Sequence, residues 1–282
     1  MLGHKLVQIL GAKFDVWGTI RGEFAEVERF GIFDQRRTIE RVDVTDIASV
    51  RRALEIAKPD VVLNAAGVIK QVPESENAVL TLKINSVFPQ RLAELSAEYK
   101  FRLITLSTDC VFSGIKGNYS EADIPDADSL YGISKLLGEV NNNNCLNLRT
   151  SIIGRELATA HSLVEWFLGN RGGSVKGYLN AIYSGFPTVV LAGILSGIIA
   201  KHPELHGTYH ISSHPINKFD LLNLLNKYYQ ADIDIEPVVE HVIDRSLDSS
   251  LFQKATGFVP APWDDMIRQM VDDATPYETW RK

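Results

Sequence analysis

The stretch Ser129–Glu139 reads SLYGISKLLGE and predicts the opening turns of an α-helix. Asp128 or Ser129 can cap the first free backbone N–H groups of that helix. Tyr131 and Lys135 are four residues apart, so the helix places them one turn apart on the same face. An ammonium beside a phenol favours the phenolate, and we therefore expect Lys135 to lower the pKa of Tyr131 from about 10. A phenol tuned in this way can exchange a proton with an alcohol oxygen near neutral pH.

A tyrosine and a lysine on an ordinary surface helix would give the same spacing, so the pair alone does not indicate a site. The segment before it supplies the further evidence. Phe101–Asp109 reads FRLITLSTD, a short apolar strand that ends in hydroxyl side chains and a carboxylate. Ligands bind beyond the carboxyl ends of strands in parallel α/β sheets. Thr108 at this strand end, with Tyr131 and Lys135 on the next helix, therefore predicts a carbonyl-reducing site.

These segments resemble the extended short-chain dehydrogenase/reductase family. Ser107–Gly114, which reads STDCVFSG, and Leu148–Ser151, which reads LRTS, are similar to the dTDP-4-dehydrorhamnose reductase branch. The resemblance covers nearly the whole chain. It implies an α/β fold with a Rossmann-type doubly wound parallel sheet and a smaller C-terminal α/β substrate lobe. Residues 1–154 plus roughly 186–213 would form the dinucleotide-binding domain, and roughly 155–185 plus 214–282 the substrate-binding lobe.

The resemblance predicts a cofactor contact near the start of the chain. Met1–Gly11 has the pattern of a helix, and Gly3 resembles the third glycine of the family's G-x-x-G-x-x-G turn. The strand and the two glycines that precede this position in the family have no counterpart in the sequence. We therefore expect this 282-residue form to be a shortened version of a longer protein that binds dinucleotide weakly. A short N-terminal helix without a nucleotide role is the alternative.

The next two predicted strands suggest which dinucleotide is bound. Phe14–Ile20 is followed by Arg21, and no carboxylate stands at this strand end. A guanidinium suits a 2′-phosphate, so the sequence favours NADP(H) over NAD(H), although a lone surface arginine is also common. The next predicted strand, Glu40–Val44, ends in Asp43 and Val44, which in the family lie against the adenine. The alternative is that Asp43 is only a turn residue at the strand end, without a contact to the adenine.

A second cofactor-contacting turn follows the buried strand predicted at Val61–Leu63. Small side chains at a strand end let a cofactor approach the backbone. The predicted contacts are Asn64, Ala65, Ala66 and Gly67, to which the resemblance adds Ser107, Tyr131 and Lys135.

Asn85 lies near the middle of the long helix predicted over Asn77–Tyr99. Asparagine is unfavourable inside a helix, because its side chain competes for backbone hydrogen bonds. We expect Asn85 to bond a neighbouring strand or a water rather than to act in catalysis.

The resemblance implies a role for each catalytic residue. Hydride would come from the nicotinamide, and Tyr131 would give a proton to the new alkoxide. Lys135 would lower the pKa of Tyr131 and hold the nicotinamide ribose. Thr108 would bond the substrate oxygen, and Asp109 would support this strand end.

Further residues are predicted to contact the substrate. They are Asp109, Arg149, Thr150 and Arg245, of which Arg245 would meet the nucleotide diphosphate. A structural ion pair is the alternative for Arg149. The dTDP-4-dehydrorhamnose reductase branch usually has an aromatic residue after Ser151, where this chain has Ile152–Gly154, and this difference leaves the identity of the sugar open.

Taken with the resemblance, these residues predict NADPH-dependent reduction of a 4-keto nucleotide sugar in deoxysugar or cell-surface polysaccharide biosynthesis. An epimerase or a reductase of another nucleotide sugar is one alternative. The other is a non-catalytic, NADP-binding regulatory subunit like that of methionine adenosyltransferase, which is similar to the same branch.

Composition limits the partners and the location of the protein. The net charge is −6 and there is no basic run, so no nucleic acid polymer is expected as a partner. No apolar run approaches the ~20 residues of a membrane span, and no signal peptide is visible. Cys110 and Cys145 form no disulfide framework and suit a reducing cytoplasm. The oligomeric state is left open, with a homodimer as one option.

Two histidine pairs have four-residue spacing, which occurs in metal sites. Pro203 interrupts the helix face of His202 and His206, while His210 and His214 fall on a strand and a turn. The sequence therefore predicts no metal site.

Overall fold

The computed structural model describes residues 1–69 and 73–281, which form two compact units. The first unit comprises Met1–Ser107, Ser134–Asn147 and Ala192–Thr208. The second unit comprises Thr108–Ile133, Leu148–Leu191 and Tyr209–Lys282. The predicted division by function differs from this packing, because it placed 108–133 in the dinucleotide-binding domain. The functional division stays a prediction.

The described residues form helices and mostly short strands. The helices are α1 (Leu2–Gly11), α2 (Ile47–Ala57), α3 (Ala78–Leu82), α4 (Phe88–Tyr99), α5 (Leu130–Leu137), α6 (Leu163–Leu168), α7 (Thr188–Lys201), α8 (Lys218–Tyr229), α9 (Ser250–Thr256) and α10 (Trp263–Val271). The strands are β1 (Gly18–Thr19), β2 (Thr38–Ile39), β3 (Val61–Asn64), β4 (Arg102–Leu106), β5 (Cys145–Arg149), β6 (Ile152–Ile153), β7 (Ser174–Tyr178), β8 (Ala181–Tyr183), β9 (Phe186–Pro187), β10 (Gly207–His210), β11 (Ile216–Asn217), β12 (Asp234–Val238) and β13 (Ile243–Asp244). Short 3₁₀ helices cover Phe24–Glu26, Glu28–Phe30, Gln35–Arg37, Pro73–Glu76, Asp109–Val111 and Tyr277–Arg281.

The main sheet has the strand order β10-β5-β4-β3. β3 and β4 run parallel, with Val61 opposite Arg102 and Asn64 opposite Thr105. β1 and β2 form a separate parallel pair in the first unit. Parallel strands with helices between them confirm the predicted α/β class.

Two predicted strands of the first unit differ from those observed. The strand predicted over Phe14–Ile20 is reduced to β1. The strand predicted over Glu40–Val44 is wrong, because β2 lies earlier, at Thr38–Ile39. Arg41 has φ of 55°, a left-handed conformation that interrupts an extended strand.

Aliphatic and aromatic side chains from α2, α4 and β4 form the core of the first unit. Its buried members include Val50, Leu54, Leu92, Leu95 and Phe101. Burying each such side chain contributes roughly 1.5–3 kcal/mol, so this layer holds β4 and its carboxyl end in place. Asp46 caps the start of α2 by accepting a hydrogen bond from the Ala48 N–H.

The second unit has its own small sheets and its own aromatic core. β8 lies between β11 and β13, while β12 pairs with β7 and β6 with β9. Phe252 is fully buried, and its ring centroid lies 5.7 Å from that of Phe258. Phe186, also fully buried, lies 6.0 Å from the same Phe258 ring. Phe258 thus packs β9 and α9 together in this core.

In the part of the chain that the structure describes, every helix is too short or too polar to cross a membrane.

Candidate active site

The start of α5 and the 3₁₀ turn after β4 bring Tyr131 and Thr108 together in the second unit. Ser129 caps α5, because its Oγ accepts a hydrogen bond from the Gly132 N–H at 3.2 Å. The Thr108 hydroxyl accepts from the Cys110 N–H at 3.1 Å and donates to Asp109 Oδ1 at 3.1 Å. The same hydroxyl also lies within hydrogen-bonding reach of the Tyr131 phenol.

The prediction that the pKa of Tyr131 is lowered is wrong. Burial raises the pKa of the phenol above its ordinary value, and the nearby Cys110 and Asp109 raise it further. The hydrogen bond with Thr108 acts in the opposite direction but is smaller. Desolvation disfavours the charged phenolate and here outweighs hydrogen bonding. Tyr131 is therefore protonated at neutral pH, the state in which it can donate a proton.

Gly132 allows the close approach between α5 and the turn after β4. A Cβ at this position would overlap the backbone carbonyl oxygen of Cys110 and crowd Ala127. A glycine inside a helix costs about 1 kcal/mol relative to alanine, so its presence beside the tyrosine marks a packing requirement. The sequence analysis did not single out Gly132, although a glycine inside a predicted helix is unfavourable and could have marked it.

Lys135 lies on the same helix as Tyr131, in the part of α5 that belongs to the first unit. Its side chain is buried, and Nζ donates a 2.6 Å hydrogen bond to the Leu106 carbonyl at the end of β4. Burial lowers the pKa of the ammonium to about 8, while the Glu139 carboxylate raises it. Glu139 Oε1 also accepts a 2.6 Å hydrogen bond from the Ser107 hydroxyl. Lys135 is therefore a buried lysine whose pKa, about 8, lies near neutral pH.

Asn85 joins three segments of the first unit. Its amide donates to the Val68 carbonyl at 3.0 Å and to Ser134 Oγ at 3.1 Å, while its Oδ1 accepts from the Val68 N–H at 2.9 Å. Asn85 thus bonds a loop residue, Val68, and a residue of α5, Ser134, and not the neighbouring strand that was predicted. A π-helical turn at Lys83–Val87 joins α3 to α4 and contains the residue. Gly138 permits the packing, because a Cβ there would overlap the Asn85 carbonyl oxygen.

The RmlD substrate binding domain family matches residues 5–275. The chain belongs to this family. By this membership it is an oxidoreductase of the extended short-chain dehydrogenase/reductase type, as its motifs predict.

Three relatives illustrate the range of the similarity. A dTDP-4-dehydrorhamnose reductase of Aggregatibacter actinomycetemcomitans is 26% identical over 259 residues, which are 81% of this chain and 86% of that one. The methionine adenosyltransferase 2 subunit beta of Xenopus laevis is 32% identical over 123 residues, which cover 42% of this chain and 36% of its own. The crystal structure of a Bacillus anthracis dTDP-4-dehydrorhamnose reductase in complex with NADP covers 92% of this chain and 99% of that one, with a TM-score of 0.74 and 21% identity. That likeness confirms the Rossmann-type fold.

The predicted cofactor turn at the end of β3 has the features of a ligand site. Asn64 is buried, and its Nδ2 has no hydrogen-bond partner among the described residues, although its Oδ1 accepts from the Ala66 N–H at 3.2 Å. Thr105, directly opposite on β4, also has a buried hydroxyl without a described partner. Ala65 and Gly67 are exposed. Unpaired buried polar groups are rare, so this turn fits a polar ligand such as a dinucleotide.

Arg21 and Asp43 lie close enough to interact electrostatically. The pKa of Asp43 is lowered chiefly by hydrogen bonds from the Thr45 N–H and hydroxyl, with a smaller contribution from Arg21. Asp43 therefore forms a turn before α2, beyond the end of β2. Arg21 is exposed. It fits the 2′-phosphate contact predicted from the sequence, which stays a prediction.

The structure shows no feature of a ligand site at two other predicted cofactor residues, Gly3 and Val44. Gly3 lies in the first turn of α1, where a Cβ would meet open space. Val44 is half-buried and packs against the hydrophobic core of the first unit. Their cofactor contacts stay predictions.

Arg149 and Thr150 are buried in the second unit. The Arg149 guanidinium lies 5.4 Å from the centroid of the Phe112 ring, and its Nη1 lies 3.3 Å from His210 Nε2. The Thr150 carbonyl accepts from the Asp109 N–H at 3.3 Å and so supports the turn after β4. These contacts are with an aromatic ring and an imidazole, and the ion pair given as the alternative for Arg149 stays a prediction. A substrate contact by either residue stays a prediction.

Arg245 is partly exposed beside the loop after Val111. Its Nε donates a 2.8 Å hydrogen bond to the Phe112 carbonyl, and its side chain packs near Gly114, which has φ of 89°. The predicted diphosphate contact stays a prediction. Within the described residues, no cluster of three or more histidine, cysteine or acidic side chains is arranged to hold a metal ion.

Proposed function

We propose that this protein reduces a 4-keto nucleotide sugar with NADPH, a reaction of the dTDP-4-dehydrorhamnose reductase type. One observation carries the proposal. A protonated Tyr131, bonded to Thr108 at the end of a parallel strand, shares α5 with the buried Lys135. A protonated phenol is the form required for reduction, because the product alkoxide must gain a proton.

The residues of this chain have separate tasks in the proposed reaction. Bound NADPH supplies the hydride. Tyr131 donates its proton to the oxygen of the reduced carbonyl. Thr108 positions the Tyr131 phenol, and Asp109 fixes the Thr108 hydroxyl by accepting its hydrogen bond. General acid catalysis of this kind contributes about 10²–10⁴-fold to the rate.

The proposed cofactor contacts lie in the first unit. Asn64 offers an unpartnered amide, and the exposed Gly67 permits a close approach to the backbone. Arg21 offers a guanidinium for the 2′-phosphate that distinguishes NADPH from NADH. Lys135, with a pKa of about 8, stays largely protonated at pH 7 and can bond the ribose hydroxyls.

The substrate is proposed to be a dTDP-linked 4-keto sugar, because the relative that covers most of this chain is named for that chemistry. Such an enzyme would act in deoxysugar or surface-polysaccharide synthesis in the cytoplasm. An epimerase or reductase of another nucleotide sugar would use the same tyrosine and lysine.

A second candidate is a regulatory subunit that binds NADP without turnover. The similarity to methionine adenosyltransferase 2 subunit beta over 42% of the chain supports this candidate. Intact Tyr131 and Lys135 favour the enzyme, since a purely regulatory protein does not need a proton donor.

The test is NADPH oxidation measured with dTDP-4-dehydrorhamnose and with a panel of other 4-keto nucleotide sugars. We expect turnover of at least one sugar by the wild type and none above background by the Tyr131→Phe variant. NADPH binding without turnover of any sugar would contradict the reductase and support the regulatory subunit. Equal turnover by the two proteins would remove Tyr131 from the mechanism.

A further inference from the structure

Glu139 lies just after α5, and its side chain extends to the end of β4. Its Oε1 accepts a 2.6 Å hydrogen bond from the hydroxyl of Ser107, the residue that follows β4 directly. Hydrogen bonds of about 2.5–2.7 Å from a hydroxyl to a carboxylate are strong. Ser107 is buried and is one of the predicted cofactor contacts. Glu139 thus fixes a residue of the proposed cofactor site.

The direction of this bond decides what Ser107 can offer to a ligand. A hydroxyl has one proton to donate and two lone pairs that accept. Because the Ser107 proton is donated to Glu139, the Ser107 oxygen presents only an acceptor to a further partner. The Lys135 ammonium has donors and no acceptor. The end of β4 therefore combines an acceptor with a donor, and this combination recognises an alcohol, which can donate one hydrogen bond and accept another.

Lys135 and Glu139 bond neighbouring residues of the same strand end. Lys135 Nζ donates a 2.6 Å hydrogen bond to the Leu106 carbonyl, and Ser107, which bonds Glu139, is the next residue along the chain. All four residues belong to the first unit. The strand end offers the ammonium and the carboxylate a neutral carbonyl and a neutral hydroxyl, so these two bonds bring opposite charges to adjoining positions.

The electrostatics of Lys135 agree with this geometry. Burial is the larger influence and lowers the pKa of the ammonium, while the Glu139 carboxylate raises it. An opposite charge nearby favours the charged form of a group and so offsets part of its desolvation.

The backbone that carries Glu139 is itself fixed. Gln90 Nε2 donates hydrogen bonds of 3.1 Å to the carbonyl oxygens of Leu137 and Glu139. Gly138, between them, packs so closely against the π-helical turn that a Cβ there would overlap the Asn85 carbonyl oxygen. A side chain that starts from a fixed backbone has less freedom to lose when it holds its partners. The Glu139 carboxylate is therefore suited to hold other groups in place.

We propose that Glu139 is a positioning residue of the cofactor site, which orients the Ser107 hydroxyl as an acceptor and serves as the countercharge of the buried Lys135 ammonium. This inference rests on the proposed function. Ser107 and Lys135 would contact the dinucleotide, and Glu139 would act through them. Removing the partner of a buried charge is strongly destabilising, so the loss of the Glu139 charge should be felt at Lys135.

The test is a double-mutant cycle of Glu139→Gln and Lys135→Met, measured by urea unfolding at pH 7. Glutamine keeps an oxygen that can accept from Ser107 and removes the charge. We expect Glu139→Gln to raise the unfolding equilibrium constant by about 3–30-fold in wild type and by less than about twofold in Lys135→Met. Glu94→Gln is the matched control, because Glu94 pairs with Arg91 on the exposed face of α4, and its small effect should be equal in both backgrounds.

The same cycle measured on NADPH binding tests the positioning role. By fluorescence titration, Glu139→Gln should raise the Kd for NADPH by about 3–10-fold in wild type and leave it within about twofold in Lys135→Met. A glutamate that only supports the fold would change the Kd by the same factor in both backgrounds.

Additive effects of the two substitutions, in either the unfolding cycle or the binding cycle, would overturn the proposal. If Glu139→Gln folds only in the Lys135→Met background, that dependence supports the countercharge, whereas failure to fold in both backgrounds would overturn it. If wild type does not bind NADPH, the proposed function fails. The unfolding cycle needs no ligand, and it then decides the pairing of Glu139 with Lys135 by itself.

Discussion

Lys135 Nζ donates a 2.6 Å hydrogen bond to the backbone carbonyl of Leu106, at the last residue of the strand that leads into the candidate site. The ammonium is buried, and the desolvation that lowers its pKa is a cost to the folded protein whenever the lysine is charged. The lysine proposed for function is therefore a source of instability near neutral pH.

This cost gives a pH-dependent stability. The pKa of Lys135 falls from 10.5 in the unfolded chain to about 8, so between these pH values the unfolded chain binds more protons than the folded one. The free energy of unfolding should rise by about 1–2 kcal/mol between pH 7 and pH 9.5 from this residue alone. In Lys135→Met this rise should disappear, as measured by urea unfolding at the two pH values. Lys13→Met, at an exposed lysine, is the control and should keep this rise in unfolding free energy. A rise of the same size in Lys135→Met would contradict the assignment of the pH dependence to Lys135.

Tyr131→Phe removes the proposed proton donor. We expect kcat to fall by about 10²–10⁴-fold, while the Kd for NADPH stays within about threefold, because most of the proposed cofactor contacts lie elsewhere. Stopped-flow NADPH oxidation and fluorescence titration measure the two quantities. A large loss of NADPH affinity instead would mean that Tyr131 serves mainly to hold the cofactor.

Arg21→Ala removes the proposed partner of the 2′-phosphate. The Kd for NADPH should rise by about 10–100-fold, the value of a lost charge-assisted hydrogen bond, while that for NADH stays within about twofold. The exposed Arg36, in the 3₁₀ turn before β2, is the control for general surface charge. An equal loss of both dinucleotides in Arg21→Ala would make Arg21 a structural residue.

Gly132→Ala tests the contact between α5 and Cys110. The added methyl overlaps a backbone carbonyl, which cannot rotate away, so we expect a loss of about 1–3 kcal/mol in unfolding free energy. Gly193→Ala on α7 is the matched control, because a Cβ there meets open space and alanine favours the helix by up to about 1 kcal/mol. Thermal denaturation of both variants would show opposite shifts in Tm, and stabilisation by Gly132→Ala would contradict the packing described.

The sequence predicted the features that depend on local pattern. The helix that carries Tyr131 and the strand before Thr108 are as expected. The strand placed over Glu40–Val44 was wrong, because a left-handed conformation at a non-glycine residue leaves no signal in hydrophobic pattern.

The sequence did not predict features that depend on three-dimensional surroundings. The raised pKa of Tyr131 follows from burial, which helical spacing does not report. The unpartnered hydroxyl of Tyr183 lies close to Gly185 and to the Ser151 carbonyl, which comes from a segment distant in the sequence. None of these neighbours is close to Tyr183 through a repeating pattern that sequence reasoning could recognise.

The π-helical turn at Lys83–Val87 has a consequence for how this helix tolerates length changes. A π turn contains one residue more than an α-helical turn, so deleting one residue within it would leave a continuous α-helix of good geometry. Because the five residues of the π turn rotate the chain about as far as four α-helical residues do, that deletion would keep the residues before and after the turn in nearly the same phase while removing the bulge that contains Asn85. Evolution or engineering could therefore shorten this helix without unfolding it, yet lose the junction between Asn85, Val68 and Ser134. Single-residue deletions here would separate the loss of function from the loss of fold.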